Sequence, residues 1–193
     1  MNAKIPPWFR EWVEIEQQAE SFRAWHPLTV PGLLQTEGYA RAILRGKPGV
    51  SSASAENSLS SRMERQAVLR RENPPMLWVV IDEGVLLRPV GSDEVMLGQL
   101  DHLLESAQQP HITIQVLPYI ARATTGLLGG FVIAQSKGMV DTVYLQSALR
   151  GHTTDQPGEV RETLTWYEAI RAEALSQRES LVLIEEKRSR WTT

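Results

Sequence analysis

The 193-residue sequence contains no cysteine. That absence excludes disulfides, thiolate metal sites and thiol catalysis together, and it suits a reducing, cytoplasmic compartment. Long apolar runs are also missing: none approaches the roughly 20 residues that a membrane span needs. The N-terminus carries neither the basic nor the apolar region of a secretory leader, so no membrane partner is expected. Nor is there an excess of positive charge, with 20 Lys and Arg against 23 Asp and Glu and a net charge of −3. A DNA-contacting face needs a basic stripe to neutralise phosphates, so direct nucleic-acid binding by this chain is not expected. The densest basic cluster, Arg62, Arg65, Arg70 and Arg71, is interleaved with Glu64 and Glu72 and reads as a solvated helix face.

Catalytic signatures are equally scarce. The histidines stand at positions 26, 102, 111 and 152, never three or four apart as two imidazoles on one helical metal site must be. No nucleophile elbow, Walker run or dinucleotide fingerprint occurs. Asp82 and Glu83 are the best-placed acidic pair, at the end of an expected strand, yet neighbours on a strand point to opposite faces. Glu83 therefore reads as capping a turn or pairing with Arg88. The glycine-rich Thr124–Gly130 segment precedes a strand rather than opening a helix, which suits a hairpin entry or lid more than an anion cradle. No catalytic residue, metal ligand or cofactor is assigned.

What is present is a chain organised as three helices, then strand, helix, strand and hairpin, then two helices. Phe9, Trp12, Val13, Ile15, Ala19 and Phe22 recur at helical spacing, predicting a first helix from Trp8 to Trp25 that Pro27 ends. Thr36 caps a short second helix to Leu44, and a third spans about 55–72. Met76–Ile81 is a continuous apolar run that suits a strand buried on both faces. Ser92 caps an amphipathic helix whose apolar stripe is Met96, Leu97, Leu100, Leu103, Leu104 and Ala107. Residues 111–117 alternate as a strand, and 131–135 with 140–146 form a hairpin. Pro157 opens a helix to Ala174, and Ser176 with Glu179 makes a capping box for a last one. The β–α–β unit is expected to be parallel and right-handed. The fold expected is α+β: one domain with a small mixed four-stranded sheet packed with helices. Its parts are an N-terminal helical lobe (1–73), a sheet-containing core (74–150) and C-terminal helices (151–193).

The motifs Trp12–Ala19, Pro31–Thr36 (P-G-L-L-Q-T), Tyr39–Arg41, Arg62–Gln66 and Ile81–Gly91 carry a family resemblance, continued by Met96–Leu100, Gln115–Pro118, Gly126–Phe131 and Val143–Leu145. In this order they cover nearly the whole chain. The chain resembles the C-terminal domain, of unknown function, of WhiJ-like, antitoxin-like helix-turn-helix regulators of streptomycetes and other actinobacteria. Such a resemblance implies a ligand- or partner-sensing regulatory domain, ordinarily preceded by a DNA-binding module, which this sequence does not contain. The family's stretch resembling Gly-Ala-His is here Arg122-Ala123-Thr124, so a ligand role for that histidine is not carried over.

Three functions follow from these readings. The first is a non-catalytic effector domain that takes an unknown small molecule or a small cognate protein. The second is a stand-alone member recruited as an enzyme of specialised metabolism, with Glu16, Glu64 or Glu83 in its pocket. The third is a protein–protein interaction scaffold, self-association as a homodimer included. Half of the six tryptophans lie within the first 25 residues, and large aromatics beside polar groups build ligand pockets as well as cores. The binding residues expected are Trp12, Glu16, Trp25, Gln35, Tyr39, Arg65 and Glu83, with Arg65 orienting an acidic group through its planar fork. The structural alternative has Gln35 bonding the turn's own backbone and Arg65 pairing with Glu16.

Overall fold

The computed structural model describes residues 5–147 and 149–192. Helix α1 (Pro7–Gln18) leads into strand β1 (Ser21–His26), and α2 (Glu37–Arg45) and α3 (Ser52–Arg65) follow. Then come β2 (Met76–Asp82), the short α4 (Glu83–Leu87), α5 (Asp93–Ser106) and β3 (Ile112–Leu117). Strands β4 (Phe131–Gln135), β5 (Thr142–Leu145) and β6 (His152–Thr154) precede α6 (Pro157–Glu173) and α7 (Gln177–Arg188). The class is α+β, but the sheet has six strands in the order β3-β2-β1-β4-β5-β6, not four.

The two additional strands have different origins. β1 lies where a continuous first helix was expected: Ala19 is extended at φ −63°, ψ 140°, and the chain leaves α1 there. Glu20 then donates to Gln135 O at 2.8 Å and accepts from Met76 N at 2.9 Å. Both sides of β1 are thus paired, parallel to β2 and antiparallel to β4, and these two ladders outweigh an ambiguous helical pattern. The expected helical lobe consequently supplies an inner strand of the sheet. β6 is only three residues long and pairs antiparallel with β5, too short to show a period of its own.

The remaining elements follow their local signals. β2 and β3 pair in parallel across α5, and β4 with β5 forms the antiparallel hairpin. Thr36, Ser51 and Ser92 each accept a backbone N–H in the first turn of the helix they cap, and Ser176 and Glu179 form the reciprocal capping box. α3 stops at Arg65 and tightens into a 3-10 turn, Gln66–Arg70, which buries Val68 and Leu69. Alternation along the strands sends residues to two cores. One face carries Phe22, Leu77, Val79 and Ile114 against α1, α5 and α7. The other carries Trp25, Val80, Phe131 and Ile133 against Tyr167 and Ile170 of α6.

Candidate functional site

On the first face, between α1, α3 and β5, the packing leaves a cleft of about 350 Å³. Its α1 wall is aromatic. The Trp12 ring stacks on Tyr144 at 5.1 Å and 30°, Phe9 meets Tyr144 edge-on at 5.5 Å, and Trp8 adjoins Phe9 at 5.5 Å. Gly151 makes this arrangement possible, because a Cβ there would collide with the Tyr144 ring. The α3 wall is polar. Ser58, Ser61, Arg62 and Arg65 all line the cleft, and their spacing of three, four and seven residues places them on one helical face. Phe22, Ala24 and His26 of β1 are also part of the lining.

The two arginines are held differently. Arg65 grips Glu16 through both nitrogens of its fork, Nε at 2.8 Å and Nη2 at 2.6 Å, and lies 4.5 Å over the Phe9 ring. Glu16 is 3 % exposed, so this pair is a fully engaged internal ion pair. Arg62 donates to the neutral Gln35 Oε1 at 2.6 Å, and among the described residues no carboxylate pairs with it. Burial, with the Arg65 charge adding to it, pulls the Arg62 guanidinium down to about 10. Burial holds the Tyr144 phenol above its ordinary value, although Arg65 and Arg62 oppose that shift. His26 is lowered to about 4 by burial. Its Nδ1 lies 3.4 Å from Gln146 Nε2, so the neutral ring accepts there.

Four of the seven sequence-predicted binding residues meet at this cleft: Trp12, Glu16, Gln35 and Arg65. The structural alternative weighed for two of them is what the geometry contains. Gln35 Nε2 donates to Val30 O at 2.7 Å, and Arg65 pairs with Glu16. Tyr39 is buried behind the turn, with Val30 N donating to its hydroxyl at 3.4 Å, and is not part of the cleft wall. Trp25 belongs to the other face, where its Nε1 donates to Gly126 O at 2.9 Å. That bond fixes the glycine-rich segment: Gly126 has φ +87°, and a Cβ there would collide with the Trp25 indole. Glu83 lies at the far end of β2, accepting from Tyr119 N at 2.9 Å and pairing with Lys187 at 3.3 Å rather than with Arg88.

Sequence reasoning did not select Arg62 or His26. The basic cluster is not a uniformly solvated face, since Arg62 and Arg65 line the cleft and Arg71 donates to the carbonyls of Gln17 and Ala19. The available signal was the position of Ser58, Ser61, Arg62 and Arg65 on one helical face, a stripe with no acidic member. Chemically the cleft combines flat apolar surface with guanidinium and hydroxyl donors. Glu16, the one carboxylate among its described lining residues, has both oxygens taken by Arg65.

No helix among the described residues is long and apolar enough to cross a membrane. No curated protein matches the chain, and neither does any solved structure. Residues 9–186 match one family, so the chain belongs to the family described as a domain of unknown function, DUF5753.

Proposed function

We propose that this chain is a non-catalytic, ligand-sensing domain of a bacterial transcription regulator, and that its ligand is a small molecule taken into the α1–α3 cleft. The observation that carries the reading is the cleft itself: an aromatic wall faces a polar one across about 350 Å³, a volume in the range of small-molecule sites. Most of its lining stands on helices and strands, with loop residues such as Thr29, Pro31 and Gln146 completing it, which suits recognition by a largely preformed site. The engagement of both Glu16 oxygens by Arg65 removes the nearest candidate general base and disfavours the enzyme reading. The regulatory setting, and a place among WhiJ-like proteins of streptomycetes, draw on the motif resemblance alone.

A thermal-shift screen of the chain against a library of small aromatic metabolites tests the reading. At least one compound is expected to raise the melting temperature, and Ser61→Phe, which fills the cleft from α3, is expected to abolish that response. Compounds that stabilise Ser61→Phe as well as the wild type would place binding elsewhere. In a mobility-shift titration the chain alone is expected to leave promoter DNA unshifted. Tight, salt-dependent binding there would overturn the assignment of DNA contact to another module.

A further inference from the structure

The ligand class can be taken further, on the premise that the cleft is a ligand site. We propose that it takes an organic anion, a carboxylate or phosphate carried on a flat ring, with Arg62 receiving the anionic group and the α1 aromatics receiving the ring.

Charge in the cleft runs against charge in the chain. The sequence has a net charge of −3, yet the cleft is lined by Lys47, Arg62 and Arg65 against Glu16 alone, and His26 is neutral at pH 7. Glu16 is consumed by Arg65, through two hydrogen bonds at 2.8 and 2.6 Å. Arg62 is therefore left as a half-buried cation whose one side-chain acceptor among the described residues is an uncharged amide. An uncompensated charge drawn out of water is costly, and here its neighbour is another cation. Gln35 also holds it in place: Gln35 Nε2 is tied to Val30 O at 2.7 Å, which fixes Oε1 toward Arg62. A guanidinium oriented in this way, with donors to spare, is complementary to a carboxylate or phosphate.

The surroundings extend that match. Ser61 lies beside Arg62 on the same face of α3 and offers a hydroxyl, and the exposed Lys47 and Ser58 stand at the mouth. Opposite, Trp8 is 39 % exposed, so its ring retains surface that a planar ligand can cover. The stacked Trp12 and Tyr144 close the wall behind it. Apolar area on one side and an unmatched cation on the other select for a molecule that has both parts.

The experiment titrates the intact chain calorimetrically with 2-naphthoate, 2-naphthyl phosphate and neutral 2-naphthamide. At least one anion is expected to bind about tenfold or more tighter than the amide, the equivalent of one charge-assisted hydrogen bond. Whichever anion is preferred separates carboxylate from phosphate recognition. Arg62→Met is expected to erase the preference, and Arg62→Lys, which keeps the charge but loses the fork, to retain part of it. Without ligand, Arg62→Met is expected to melt about 2–4 °C higher, because the unmatched half-buried cation is gone. An amide bound as tightly as the anions, or a preference that survives Arg62→Met, overturns the anion class and leaves the ligand site standing. Absence of binding by all three probes up to about 10 mM removes the ligand-site reading as well.

Discussion

Strand β1 has two faces with different surroundings. Trp25, on one, is fully buried against Phe131, Tyr167 and Ile170, and its indole N–H is bonded to Gly126 O. Phe22, Ala24 and His26, on the other, line a cleft whose opposite wall carries charge. Both faces belong to one six-residue strand, so the backbone does not set the difference. What differs is the partner. α6 brings apolar side chains to its face, whereas α3 brings Arg62 and Arg65 to the other. The α6 face is closed by matching apolar side chains, whereas the other joins the second core through Phe22, Leu77 and Val79 and borders the cleft where α3 presents its guanidinium groups. Both faces are packed, since Phe22, Ala24 and His26 are buried as well, and the second differs in bordering the open cleft.

Substitutions that test each face should therefore separate stability from recognition. The largest loss is expected on the closed face. Trp25→Ala should cost about 3–5 kcal/mol for the cavity, with about 1 kcal/mol more for the lost bond to Gly126. Urea denaturation measures this, and a loss under about 1 kcal/mol would mean that this face is not close-packed. Second is Glu16→Ala, expected to cost about 3–5 kcal/mol because it strands Arg65. If the variant proves as stable as the wild type, the pair contributes to recognition rather than to the fold.

His26 supplies a pH test of the face that borders the cleft. Its folded value of about 4 lies below the ordinary 6.5, so the unfolded chain takes up the proton first as pH falls. The resulting stability is fully present above about pH 6.5 and is lost toward pH 4, a change of about 3 kcal/mol. Comparing the wild type with His26→Gln in denaturation from pH 7 to 4 isolates it, and parallel profiles would show that His26 titrates normally. The smallest effect is expected for Trp8→Ala: about 0.5 kcal/mol or less of stability, since the ring is 39 % exposed. The same change should weaken ligand binding by removing ring surface from the wall. Equal binding by both proteins would take Trp8 out of the site.

The legible parts of this molecule are those whose cause is local. Ser92 ahead of Asp93 and Glu94 started α5, and the inward stripe of Met96, Leu100 and Leu103 is fully buried. Ser176 and Glu179 form the expected capping box, and the hairpin and the parallel β2–β3 pair stand where turn residues and alternation placed them. The ion pair of Glu16 with Arg65 was legible as a structural alternative, because a fork and a carboxylate on the two helices have few other partners. Of the seven expected binding residues, Trp25, Tyr39 and Glu83 lie outside the cleft. Their residue types suit a pocket, but type does not say which face of a sheet a side chain joins.

By itself, then, the sequence determined the class, most element boundaries and the absence of thiol chemistry, since each depends on composition or on residues within a few positions of one another. Tertiary structure decided that Ser21–His26 is a strand, because its partners Met76–Ile81 and Phe131–Gln135 are distant in the chain and its own apolar positions also fit the helical spacing that runs on from α1. It also decided that Arg62 faces a cleft instead of water. A helix carries its polar side chains wherever packing turns that face, and α3 turns this one toward α1.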